Sequence, residues 1–478
     1  MNYRMIARIV GMVMLCLAGL LVLPLITGLY YGEDVTHFVI SIAVALAAAG
    51  LLWRFKPKST VLFTRDGYAA VVLAWMSMAL LGALPYYLGG DIPRFGDAWF
   101  ESMSGLTTTG ATILNDIEGM SRGCMFWRLF SQWIGGMGVL VFMMAVMPMS
   151  GAYSMHIMRA EFPGPNVGKL VPRVKETARM LYLIYLGLTA LETVLLLLGG
   201  MDFYEALLHA FATAGTGGFS TQAESLAAYD SLYIEMVASV FALLFSTNFH
   251  IFFLLLAGRS AHAFRNEEFR WYLGIVTAAT VTIALNILPL YDNIFQALRH
   301  AFFNTSMVIT TSSFNTVDYT VWPQYARFAL VLLMMSGACA GSTCGGIKLS
   351  RVIMLFKATR LELRRMVHPR TVSRVEMDGK RVAAETVRAV QNFFILYVLI
   401  ILICTMLLSW GGRDTATNLT ASIACLSNIG PGMGLIGPMG NYNVFSMPAK
   451  LLLTLVMLMG RLELYPLLAM LTPGMWKK

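Results

Sequence analysis

Four short runs rich in Thr, Ser and Gly recur along this chain, and they suit one kind of chemistry: replacing the water around a cation with oxygen. They read Leu106-Thr107-Thr108-Thr109-Gly110-Ala111, Ala214-Gly215-Thr216-Gly217-Gly218-Phe219, Ile309-Thr310-Thr311-Ser312-Ser313-Phe314 and Leu426-Ser427-Asn428-Ile429-Gly430-Pro431. A dehydrated ion must regain its ligands, and rings of backbone carbonyls from several loops supply them. Gly reaches the angles that turn successive carbonyls inward without strain, and Thr and Ser hydroxyls add ligands or brace the loop. The candidate ion-binding residues are therefore Thr108, Thr109 and Gly110; Thr216, Gly217 and Gly218; Thr311, Ser312 and Ser313; and Asn428, Ile429 and Gly430. One such run carries no weight, whereas four in register do. Ordinary outer loops of small polar residues are the competing reading, but such loops need not repeat.

Two further features sit inside apolar stretches. Gly337-Ala338-Cys339-Ala340-Gly341-Ser342-Thr343-Cys344-Gly345-Gly346 interrupts a long apolar run with small residues. Each Gly weakens a helix by roughly 1 kcal/mol against Ala. The residues alone leave two readings open: an unwound loop lining a polar path, or a close-packed helix seam. Arg461, within Met459-Gly460-Arg461-Leu462-Glu463, lies near the middle of the last apolar stretch. A charge at that depth usually marks a pathway or a pair. Its alternatives are a structural pair with Glu463 or snorkelling to the inner surface, and the apolar residues that follow it argue against snorkelling. Lys348 reads as an inner anchor rather than a pore charge.

These groups need elements to carry them, and composition says which kind. Hydrophobic residues make up 57% of the 478 and charged residues only 13%, against about 25% charged in soluble domains. Lipid must therefore face much of the surface. A helix needs roughly 20 apolar residues to cross hydrocarbon, and the candidate spans are 6–31, 36–53, 68–88, 126–149, 179–199, 231–257, 271–290, 324–356, 391–410 and 446–472, ten in all. The first is too long for a cleavable leader and reads as a retained span. The net charge of +9 comes from Lys and Arg gathered in alternate connections, including Lys56, Lys58, Arg159, Lys169, Arg173, Arg259, Arg360, Arg364, Arg365, Arg370 and Arg381. That asymmetry puts both termini in the cytoplasm and makes nucleic acid an unneeded partner. Trp53, Trp127, Trp133 and Trp322 read as an interfacial belt, His250 as a packing residue, and the six cysteines as small buried residues without zinc spacing.

After the first two spans one plan repeats four times: a span, a short amphipathic stretch, a Thr/Ser/Gly run and a second span. Eleven residues before Gly110, Gly218, Ser313 and Gly430 stand the apolar Trp99, Leu207, Phe302 and Leu419. These stretches, roughly 10–14 residues, are too short to cross and suit re-entrant pore helices. Asp97, Asp202, Asp292 and Asp414 lie near their starts, where the helix dipole and capping favour them. The expected fold is all-α, with ten transmembrane helices, four re-entrant pore helices, and four helix–pore-loop–helix repeats around a pseudo-fourfold pore. Its divisions are a helix pair at 1–66 and repeats at 67–154, 155–262, 263–388 (with the 337–346 loop) and 389–478.

With Thr109-Gly110, Gly217-Gly218-Phe219, Ser313-Phe314-Asn315-Thr316 and Asn428-Ile429-Gly430-Pro431-Gly432 in place, the chain resembles the Trk/Ktr/HKT superfamily of potassium transporters, and within it the bacterial branch with an added N-terminal helix pair. The resemblance covers residues 68 to 475. It implies potassium bound at the filter residues, a homodimer with one pore per protomer in the bacterial inner membrane, and a cytosolic nucleotide-binding regulatory ring of TrkA type. It favours the gate reading of Gly337, Gly341, Gly345 and Gly346, and it implies that Arg461 sits in the pore below the filter. One departure stands out. The family pattern has Gly at the key position of each loop, and the third run has Ser313; since Ser in the first loop accompanies sodium transport in the plant branch, the expectation is potassium with weakened exclusion of sodium.

Two other function classes compete. A secondary transporter coupling potassium to protons or sodium also uses broken helices, but the acidic residues here are expected mostly in loops, not in a buried relay. A membrane enzyme needs clustered His, Glu or Asp, and the seven His are scattered with no HExxH pair and no phosphate-binding GxxxxGK[ST] loop.

Overall fold

A computed structural model describes residues 1–55, 63–138, 174–256, 258, 260–369 and 374–476. The second half of the expected span 126–149 lies outside these residues, as do Lys56, Lys58, Arg159, Lys169, Arg173, Arg259 and Arg370. The regular structure described is helical, apart from one small antiparallel hairpin that pairs Glu376–Met377 with Lys380–Arg381. Among the described residues, six helical stretches are long and apolar enough to cross a membrane: Tyr3–Tyr30, Thr36–Trp53, Arg65–Leu88, Arg179–Leu198, Glu267–Leu290 and Ala384–Ser409. Hydropathy alone places these, because in hydrocarbon the helix satisfies every backbone group internally.

Three of the remaining apolar stretches, 231–257, 324–356 and 446–472, are broken. The stretch expected at 231–257 is two helices, Leu232–Phe245 and Phe249–Leu256, bent by 91°. The freed carbonyls of Phe245 and Ser246 accept hydrogen bonds from the 337–348 segment, at Thr343 N and Cys339 N. That exchange replaces the lost helix bonds and supports the kink. The stretch 324–356 is Gln324–Ser336 and Leu349–Val367 with non-helical backbone between them. The last stretch, expected to be continuous through Arg461, ends its first helix there (Met447–Arg461); Glu463 takes a φ of 63° and a new helix, Leu464–Leu471, begins.

The four short amphipathic stretches are helices, at Phe95–Leu106, Phe203–Ala214, Ile294–Ile309 and Thr415–Ser427. Their starts follow the capping expectation in part. Asp202 and Asp414 accept the N–H of Glu205 and Thr417 at 2.9 Å. At the third helix the cap is Asn293, not Asp292, and it accepts from Gln296 N. Asp97 is drawn instead to Lys450, 2.7 Å away in the Met447–Arg461 helix. Their C-terminal ends are buried on every side.

Several sequence expectations fail on burial. Trp127, Trp133 and Trp322 are interior and donate their indole N–H to Gly82 O, Thr189 Oγ1 and the Tyr291 hydroxyl; of the four only Trp53 is exposed. His250 is exposed, its ring against Phe253. Glu101, Glu192, Glu235 and Glu268 are buried within helices, not in loops. Five of the six cysteines are buried and Cys16 is half-buried.

Candidate cation path

Each short helix ends in the same way. The left-handed position falls on Thr108, Thr216, Thr311 and Asn428, with φ of 55°, 54°, 57° and 54°. In each case its N–H reaches back three residues, to Gly105, Thr213, Val308 and Cys425. The next N–H, of Thr109, Gly217, Ser312 and Ile429, reaches back five, to Ser104, Ala212, Met307 and Ala424, at 2.9, 2.9, 2.8 and 2.8 Å. This is the Schellman closure, which satisfies the orphan carbonyls of a helix end and reverses the chain. Gly normally occupies its left-handed position, and a β-branched residue there costs of order 1–3 kcal/mol. Three Thr and one Asn hold it here because their side chains are used. Thr311 Oγ1 accepts from Gly345 N at 2.9 Å, and Asn428 Nδ2 donates to Thr109 Oγ1 at 3.0 Å and Met457 O at 2.9 Å.

The runs that follow meet one another. Gly110, Gly218 and Gly430 have φ of 75°, 69° and 89°. A Cβ on Gly110 would stand 2.0 Å from Gly217 O and 2.1 Å from Ser313 Oγ; one on Gly430 would stand 2.7 Å from Thr109 O. Glycine at these sites is therefore dictated both by backbone angle and by the close approach of neighbouring runs. Ser313 is the exception, and its φ is not positive. Its hydroxyl lies within hydrogen-bonding reach of the carbonyls of Thr109, at 3.0 Å, and Ile429. All twelve candidate residues are thus brought to one place from four separate segments, and all but the half-buried Gly110 are buried.

The 337–348 segment packs directly against these runs. Besides the bond to Thr311, a Cβ on Gly345 would stand 2.0 Å from Ser427 O. Arg461 faces the same place. Its guanidinium donates to Thr343 O at 2.7 Å, to Gly135 O and Gly136 O at 2.5 Å, and reaches Thr108 Oγ1 at 3.4 Å. It therefore joins the segment, the first run and the end of the helix Arg122–Met137. The expected alternative, a pair with Glu463, is not what forms: Glu463 binds Arg351 at 2.5 Å. Lys348 is not a surface anchor either. It is buried, and its ammonium donates to Cys344 O.

Other groups that brace the runs were not foreseen. Glu101 takes Arg128 Nε at 2.7 Å, Thr112 Oγ1 at 2.9 Å and Ile113 N at 3.0 Å. Arg128 carries the link onward to Ser220 O at 3.0 Å and lies over the Phe219 ring. Gln132 Oε1 accepts from Phe219 N, and the Tyr442 hydroxyl donates to Gly430 O at 2.6 Å. The charged residues Glu101 and Arg128 inside apolar stretches were the available signal.

The chain is similar to known cation-transport proteins. The family model for TrkH, described as a cation transport protein, matches residues 34–474. The Trk system potassium uptake protein TrkH of Escherichia coli K12 is 36% identical over 486 residues, covering all of both chains. The TrkG protein of the same organism, also named a Trk system potassium uptake protein, is 32% identical and covers 95% of this chain and 94% of its own. The crystal structure of the potassium transporter TrkH from Vibrio parahaemolyticus superposes with a TM-score of 0.89 at 33% identity, with full coverage of both chains.

Proposed function

Because the chain belongs to the TrkH family of cation transport proteins, a family of membrane transporters and not of enzymes, we propose that it takes up potassium through a carbonyl-lined, channel-like pore. The observation that carries this reading is the fourfold helix end. Four identical Schellman closures deliver four runs of carbonyls to one buried place, which is the geometry that replaces a hydration shell. In this reading the four short helices are re-entrant pore helices, set among ten spans and divided at the repeat boundaries given above. The filter is Thr108–Gly110, Thr216–Gly218, Thr311–Ser313 and Asn428–Gly430, and potassium is the cargo that binds there.

The 337–348 segment, with Gly337, Gly341, Gly345, Gly346 and Arg461, forms the gate. It lies against the filter residues themselves, and the guanidinium sets a positive charge beside the path in a region of low dielectric, which repels a cation. The chain sits in the bacterial inner membrane with both termini cytoplasmic, works as a homodimer, and answers to a cytosolic nucleotide-binding ring of TrkA type. The relatives' names, which place them in a Trk system, support such a partner.

The second reading, transport of potassium coupled to protons or sodium, is favoured by one observation. Glu192 is fully buried in the helix Val174–Leu198, with no charged partner among the described residues. Reversal potentials of the purified chain in liposomes separate the two. A channel follows the potassium gradient alone, whereas a symporter shifts when a proton or sodium gradient is imposed.

A further inference from the structure

The proposed gate is held from an unexpected direction. The helix Glu267–Ile287 begins with two adjacent glutamates that turn opposite ways. Glu268 is 6% exposed, and a single carboxylate oxygen accepts Ala340 N at 2.7 Å and Ser350 N at 3.0 Å. Those two N–H groups lie in the middle of the break and in the first turn of the helix that follows it, so one buried carboxylate ties both.

Glu267 and its cap Asn266 face the other way, toward the small hairpin. Asp378 at the hairpin tip accepts Glu267 N at 2.7 Å and Asn266 Nδ2 at 3.3 Å, and its own N–H donates to Glu267 Oε2 at 3.2 Å. Asp378 and Gly379 both have positive φ, 48° and 71°, which suits an Asp-Gly two-residue turn. The turn is exposed yet docked on this one helix start. Lys357, in the helix that follows the break, adds a third strut: its ammonium pairs with Glu267 and donates to Glu376 O at 2.7 Å.

We propose that the first turn of the helix Glu267–Ile287 couples the 376–381 hairpin to the 337–348 gate, Glu267 gripping the hairpin and Glu268 positioning the gate. The proposal rests on the gate reading above. Lifting the hairpin displaces Asp378, frees the helix start, and moves the one carboxylate that fixes the gate backbone. Glu268 is a positioning residue; it acts on the ion path only through Ala340 and Ser350.

A double-mutant cycle on the full-length chain, read as potassium influx into liposomes, tests this. Glu268→Ala is expected to raise influx roughly tenfold, the effect of losing two buried hydrogen bonds. Glu268→Gln, which keeps an acceptor oxygen, gives a smaller rise. Asp378→Ala, at an exposed position, raises influx several-fold, and adding it to either Glu268 variant gives no further rise, since both act on one connection. Unchanged influx in Asp378→Ala overturns the coupling, and so do fold-changes that multiply in the double variant. If Glu268→Ala folds poorly, the cycle with Glu268→Gln decides the matter alone. A chain shortened within 339–343 separates the two levels of inference: unchanged influx there overturns the gate reading and the coupling together, whereas raised influx there with a silent Asp378→Ala overturns the coupling only.

Discussion

Two stretches of non-helical backbone lie buried against each other here, and they are built in opposite ways. The four runs after the short helices start from turns that close on themselves, whatever side chains brace them further on. Each closes on its own helix through the same pair of short-range bonds, at Thr108–Thr109, Thr216–Gly217, Thr311–Ser312 and Asn428–Ile429. The 337–348 segment is instead held largely by residues distant in sequence: Glu268, the carbonyls of Phe245 and Ser246, Thr311 and Arg461. A structure that carries its own bonds stays rigid when its neighbours shift. One that borrows them moves when its tethers are released, because local opening follows the stability of the contacts that close it. Rigidity suits ion coordination, and borrowed tethers suit a gate.

That contrast breaks most completely at the glycines. Gly110→Asp or Gly430→Asp forces a side chain into a left-handed position already occupied by neighbouring carbonyls. The expected outcome is loss of potassium uptake to background with protein still present in the membrane. Potassium-dependent growth at the wild-type rate in either variant would remove the filter assignment.

The tethered segment should respond in the other direction. Arg461→Ala withdraws donors from the carbonyls of Thr343, Gly135 and Gly136 and removes the charge beside the path. Influx is expected to rise roughly tenfold, about the worth of one charged hydrogen bond, and dependence on the regulatory partner to weaken. Each stranded carbonyl also costs stability, so folded yield is measured alongside. Influx at or below wild type with poor yield would make Arg461 a brace and not a barrier.

The smallest effect sharpens the comparison within the runs themselves. Ser313 is the one key position where the backbone leaves the left-handed region and a hydroxyl takes up carbonyls of two neighbouring runs. Ser313→Gly frees those carbonyls for an ion. The potassium-over-sodium permeability ratio should rise by roughly fivefold, equivalent to about 1 kcal/mol for one net hydrogen bond. An unchanged ratio would mean that the third run does not tune selectivity.

Much of this was legible along the chain. Hydropathy located the spans that the structure leaves unbroken, with Thr36–Trp53 matching to the residue, because crossing hydrocarbon needs length and apolarity and little else. The internal repeat put the twelve candidate residues in register, since repeated units must repeat their turns. The break at Gly337–Gly346 was visible because small residues hold a helix weakly.

What stayed hidden depended on partners far away in sequence. That the stretch at 231–257 bends by 91° cannot be read from its apolar residues, because the bonds that compensate the bend come from Cys339 and Thr343. Arg461 stood next to a plausible partner in Glu463, yet each found another: Arg351 for the glutamate, and carbonyls of two other segments for the arginine. Trp127, Trp133 and Trp322 looked interfacial because burial by neighbouring helices leaves no trace in a hydropathy window. The grip of the Asp378-Gly379 turn on Asn266 and Glu267 left no trace in the sequence. The sequence by itself determined which unbroken stretches are long and apolar enough to cross a membrane and where small residues interrupt one, since both follow from local composition. Only the tertiary structure decided which buried charges and orphaned backbone groups satisfy one another, because a group removed from water takes whatever partner the packing brings within about 3 Å.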